Sequence, residues 1–127
     1  MPEIRLIDMR GGNPHTVQKV TPLPTDPFAR QALTNHPDTT LAQWRALSHD
    51  PVFAVRYAAA TSHYVPSEML ALMVVDTHPF VRAGVANNPR TPDSALKALA
   101  KDSDENVAAA AQQNRATHQA EADELSL

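Results

Sequence analysis

Three arginines, Arg30, Arg56 and Arg82, recur at intervals of 26 residues. Guanidinium groups at a regular spacing could follow a nucleic-acid backbone by neutralising successive phosphates. The same residues could equally be structural. Asp50 and Asp76 lie six residues before Arg56 and Arg82. An arginine at such a junction can pair with a carboxylate and with bare backbone carbonyls. The series also stops at Ala108, which holds the fourth position. That favours a structural ladder, with phosphate binding as the alternative. The six histidines, His15, His36, His49, His63, His78 and His118, show no i, i+4 pairing, and the chain has no cysteine. Zinc signatures need closely spaced ligands of these types, so no metal site is expected. There is no glycine-rich phosphate loop and no nucleophile with an activating partner. The expectation is a protein without catalysis or cofactor.

What must position these residues is itself periodic. Units start at Pro24, Asp50, Asp76 and Asp102 and run without a gap to the last residue, as 24–49, 50–75, 76–101 and 102–127. Val55, Val81 and Val107 align with Ala29, and Trp44, Leu70 and Leu96 align with Ala122. Leu47, Met73, Leu99 and Leu125 follow in register, as do the small residues Ala32, Ala58, Gly84 and Ala110. Self-similarity at such a period marks a solenoid, whose units bury their apolar faces only by stacking.

The third unit shows the local grammar. Pro79 suits a first helical position, and Phe80, Val81, Gly84 and Val85 recur at helical spacing. Asn87-Asn88-Pro89 ends that helix, through an asparagine that tolerates left-handed geometry and a proline that cannot continue it. Thr91-Pro92-Asp93 then opens a second helix with Thr91 as its cap. The fold class is therefore all-α, an α-solenoid of four two-helix repeats. In the last unit the second helix is expected over 117–125, with Ala122 and Leu125 inward and acidic residues outward. Residues 1–23 do not fit the repeat and are read as an N-terminal cap, or as an arm that pairs with a partner.

Asp76-Thr77-His78-Pro79-Phe80-Val81-Arg82-Ala83-Gly84-Val85-Ala86-Asn87-Asn88-Pro89-Arg90-Thr91-Pro92 resembles a unit of the variant leucine-rich repeat family. Its pattern is roughly D-P-D-x-x-V-R-x-A-V-A-x-N-P-x-T-P followed by a leucine-bearing helix. Segments from Asp50-Pro51 to Val55-Arg56 and from Asp26-Pro27 to Ala29-Arg30 are weaker copies. The resemblance implies a right-handed superhelix in the style of HEAT and armadillo proteins, with one helix of a pair able to tighten to 3₁₀ geometry. It prescribes no biochemical activity.

At 127 residues with 43% hydrophobic content, the chain suffices for one stacked core. Its net charge of −3 runs against a dedicated nucleic-acid binder. No secretory signal and no apolar run long enough to span a membrane are visible, so a soluble, cytoplasmic protein is expected. In a solenoid the repeated residues build the scaffold and the idiosyncratic ones are free for a partner. The second unit departs most from its siblings, through Phe53, Tyr57, Met69, Val74 and Val75. These are the candidate contacts to a protein partner or a second copy of the chain, unless residues 1–23 cover them. The alternative is nucleic-acid binding through Arg30, Arg56 and Arg82 with Arg45, Arg90 and Lys97.

Overall fold

The computed structural model describes residues 22–125, and every regular element among them is helical. Helices α1 (Pro27–Leu33) and α2 (Leu41–Ser48) form the first pair, α3 (Phe53–Ala60) and α4 (Ser67–Leu72) the second, α5 (Pro79–Asn87) and α6 (Asp93–Leu99) the third. Helix α7 (Glu105–Leu125) closes the chain. A short 3₁₀ turn, Met73–Val75, extends α4, while the other helices are α-helical throughout. The expected cap over residues 1–23 lies outside the described residues, apart from Pro22 and the core-contacting Leu23.

Each short helix is defined at its start by local chemistry. Pro27 and Pro79 stand in the first turns of α1 and α5, where a missing N–H costs nothing. The Asp26 carboxylate and His78 Nδ1 accept the backbone N–H of Phe28 and Phe80. Thr40 and Gln43 form a reciprocal capping box on α2. Two details differ from the sequence reading. Asn88 ends α5 in extended geometry, φ −78° and ψ 124°, because Pro89 bars the residue before it from helical angles. Thr91 does not cap α6. Its hydroxyl turns back and donates to the Val85 carbonyl at the end of α5, and Pro92 opens the next helix.

Helices α1, α3, α5 and α7 pack side by side as one layer, and α2, α4 and α6 form the other. Between the layers lie Trp44, Leu47, Val55, Leu70, Met73, Val81, Leu96, Leu99 and Val107, all buried. Helices of six to nine residues are too short to persist alone, so this interlayer packing holds them. Gly84 lets two helices of the first layer approach closely. A Cβ built there would stand 3.0 Å from Thr61 Cγ2 and 3.1 Å from Ala60 Cβ, so α5 lies against α3 where no side chain separates them.

The last unit departs from the two-helix plan. Asp104 caps α7 by accepting from Asn106 and Val107, and the helix runs unbroken for 21 residues. The Asn-Pro stop of the third unit has become Asn114-Arg115, and no proline follows. Ala122 and Leu125, expected inward, are exposed, because an uninterrupted helix carries them past the end of the stack.

Candidate functional site

The arginine series forms a ladder across the unit junctions. Arg30, Arg56 and Arg82 donate through Nε to Asp50, Asp76 and Asp102 of the following unit, at 2.6, 2.8 and 2.8 Å. A second bond, from Nη2 to the other carboxylate oxygen, makes each pair bidentate. Nη1 donates to the backbone carbonyls of Pro24, Asp50 and Asp76, six residues upstream. The carbonyl six residues before is therefore the own-unit partner, and the carboxylate comes from the unit ahead. Each aspartate also accepts an N–H two residues on, from Val52, His78 or Asp104. Burial alone would raise the Asp102 carboxyl. The Arg82 bond, the Asp104 N–H and the Arg82 charge outweigh it and hold the group below its ordinary value.

A second ladder runs past the C-terminal ends of α3 and α5 and reaches the middle of α7. The Ser62 hydroxyl donates to the Thr34 carbonyl. The Asn88 amide donates to Ala60 and Ser62, and the Asn114 amide to Ala86 and Asn88. The column that holds His36, Ser62, Asn88 and Asn114 thus stitches each unit to the one before it. His36 itself accepts the N–H of Asp38, and among the described residues no three His, Asp or Glu side chains gather as a metal would need. No helix of the described residues is long and apolar enough to cross a membrane.

The five residues singled out in the second unit separate into different places. Phe53 and Tyr57 are exposed one turn apart on α3. Val75 is 80% exposed at the end of the 3₁₀ turn, beside Leu72, Arg56 and His49 in a groove of about 290 Å³. Val74 is partly buried and packs against the core. Met69 is a correction. It is 2% exposed, with its sulfur 4.0 Å from the Ser48 hydroxyl, because the inner face of α4 needs an apolar side chain there just as α6 uses Ala95.

The structure adds residues that the unit comparison passed over. Phe53 stacks on the His78 ring at 4.0 Å and 5°, and His78 meets Phe80 at 5.3 Å. Phe80 is 63% exposed and Phe28, its counterpart in the first unit, 79%. Tyr57, Thr61, Phe80, Ala83, Gly84 and Asn87 line a groove of about 240 Å³ between α3 and α5. The columns holding Phe28, Gln31, Ala32 and Asn35 contain no charged side chain in any of the four units. Along those four columns the outward side of α1, α3, α5 and α7 is uncharged, while the neighbouring columns of Phe53 and His78 carry Glu105, Asp26 and Asp104 at the two ends of the stack. Phe28 and Phe80 went unnoticed because they share a column and so looked like scaffold.

The family described as leucine rich repeat variant matches residues 79–104, from the start of α5 to the cap of α7. No curated protein and no solved structure matches the chain. Residues 79–104 are thus similar to a repeat of the leucine rich repeat variant family, and they sit in a row of stacked helices consistent with a HEAT-like solenoid.

Proposed function

We propose that this protein is a binding module, a right-handed stack of four units without catalysis, that holds a protein partner on the uncharged aromatic strip of its first-layer helices. The observation that carries the reading is the cluster of Phe53, Tyr57, His78 and Phe80 beside an open groove. Solvent-facing aromatic clusters are disfavoured on a soluble surface unless a partner covers them, and aromatic side chains dominate binding energy where they are buried by contact. Repeats of this family serve in general as protein-interaction units, which supports the same reading. Val75 and Leu72 form a second exposed apolar site that extends the contact for a larger partner or a second copy. Nucleic-acid binding through the arginine ladder would compete with bonds already made, since Nε, Nη1 and Nη2 of Arg56 and Arg82 all have protein acceptors.

The test is affinity capture from native cell extract with the wild type and the Phe53→Ser, Tyr57→Ser double variant, alongside sedimentation of both. A partner, or a dimer, lost in the variant at unchanged helicity and melting supports the reading. Equal capture by the two proteins, or salt-sensitive binding of nucleic acid that needs Arg45, Arg90 or Lys97, overturns it.

A further inference from the structure

The outer face of the second layer is divided by charge, and this inference deepens the binding-module reading at its second apolar site. Carboxylates stand at the starts of its helices, Glu68 on α4 and Asp93 on α6. Cations stand at the ends, Arg45 on α2 and Lys97 on α6, with Lys101 just beyond. The exposed Leu72 and Val75 lie at the basic end. Their columns hold Ala46 and His49 in the unit before and Ala98 and Lys101 in the unit after. The cations therefore flank the two apolar side chains at about one helix spacing, ~10 Å, on either side. Among the described residues, neither the Arg45 guanidinium nor the Lys101 ammonium has a carboxylate partner. The chain itself carries the complement of this site. Helix α7 closes with Glu121, Glu124 and Leu125, all exposed. Glu121 and Leu125 stand one turn apart on one face, and Glu124 borders it. Helices α1, α2 and α6 end on a basic residue, as the negative end of a helix favours, whereas α7 has none in its last turn. Its glutamates sit at the end of the helix least favourable to them, and a cationic surface relieves that cost.

We infer that the end of α7 docks on the Leu72–Val75 site of a second copy, and that two copies do so reciprocally. Leu125 enters the groove of about 290 Å³ beside Val75. Glu121 and Glu124 then lie among Arg45, Lys97 and Lys101. Leu125 is 88% exposed, so the tail does not occupy the site of its own chain. Area decides between one contact and two. At the ~30–40 Å² that an interface residue buries, about eight residues on each surface cover roughly 600 Å² in total, short of a specific interface. A reciprocal pair reaches roughly 1,200 Å², the lower bound for a stable one. The dimer is therefore symmetric and closed. It is also weak, with a dissociation constant on the order of 10–100 µM.

The experiment is sedimentation equilibrium of the full chain from about 5 to 500 µM, at low and high salt. The wild type should dimerise within that range, and less tightly as salt screens its exposed ion pairs. Glu121→Lys with Glu124→Lys, and separately Arg45→Glu with Lys101→Glu, should each weaken self-association about tenfold or more at unchanged helicity. The first pair places lysines at the negative end of α7, so that variant folds at least as well as the wild type. An equimolar mixture of the two variants should dimerise again, because each reversed tail meets a reversed site and each native tail a native one. A wild type still monomeric at about 500 µM, variants that associate as the wild type does, or a mixture that fails to recover association would each overturn the inference. The Phe53→Ser, Tyr57→Ser variant should keep this dimer. If it loses the dimer, the contact belongs to the aromatic strip, so this inference falls and the module reading stands. If it keeps the dimer and captures partners as the wild type does, the module reading falls and this inference stands.

Discussion

Arg56 has its fork of donors wholly committed to two neighbouring units, and its side chain and that of Asp76 are 16% and 7% exposed. Removing one member of a nearly buried, bidentate pair leaves the other without its counter-charge. Arg56→Ala should therefore lower unfolding free energy by about 3 kcal/mol, measured by urea denaturation. Unchanged stability would mean the ladder carries no load. Asp102 permits a pH test. Its carboxyl is held below an ordinary value of 3.8, so the folded state binds this proton less readily than the unfolded chain. The associated stability is whole above that ordinary value and drains away as pH falls through the depressed one. Asp102→Asn should be less stable at neutral pH and show a shallower loss of stability on acidification below about pH 4, read from melting at stepped pH. The residues of this ladder were legible in the sequence as a period. Their pairing was not, since a spacing of 26 does not say whether an arginine reaches its own unit's aspartate or the next.

Among the helices, those bounded by proline and asparagine were readable in advance, because these residues act on the backbone locally. Helix α7 was not, because its identity depends on a missing stop at Asn114-Arg115 and on clasps to the previous unit. Arg115 bonds Asp93 at 3.0 Å, and His118 meets the Pro89 carbonyl at 3.1 Å. Apart from these and the Asn114 amide bonds to Ala86 and Asn88, no residue of α7 after Ala111 is buried. Truncation after residue 119 should accordingly lower the melting temperature by only a few degrees, corresponding to less than about 1 kcal/mol. Face assignments were half legible for the same reason. Met69 and Val75 both looked idiosyncratic, yet helical rotation turns one into the core and leaves the other in water. Met69→Ser should cost about 2–4 kcal/mol while Val75→Ser leaves thermal stability unchanged, and equal effects on melting would contradict the placement. At the α3–α5 approach, Gly84→Val should cost about 1–3 kcal/mol through overpacking against Ala60 and Thr61.

For the molecule as a whole, the core is a single seam between two layers, and Trp44 is its largest member near the first end. It is 2% exposed in the column of Leu70 and Leu96. Trp44→Ala should cost about 3–5 kcal/mol, a large share of what so small a domain has, and native Trp44 emission should be blue-shifted and poorly quenched. Red-shifted, readily quenched emission in the folded state would contradict that burial. The stacked architecture followed from periodicity alone because repetition forces each unit to present the same faces. The aromatic strip did not follow, because membership depends on which columns the stack leaves outside, and a column of repeated phenylalanines reads like core until the layers are assembled.

The bidentate pairs reach only one unit ahead, and the asparagine bonds only one unit back. The two seams that flank the third unit therefore ask the same thing of their neighbours: an aspartate on one side, and two free carbonyls on the other. Interchangeable seams make length a separable variable. A duplicate of 76–101 spliced between Lys101 and Asp102 would find Arg82 ready to receive its first aspartate, and would itself present an arginine to Asp102. The rod would grow by about one helix spacing, roughly 10 Å, with its terminal helix unchanged. The inserted seam would set a copy of Phe80 opposite Ala83 where Tyr57 stands in the original, so the scaffold would be repeated while the aromatic surface beside it could be chosen anew.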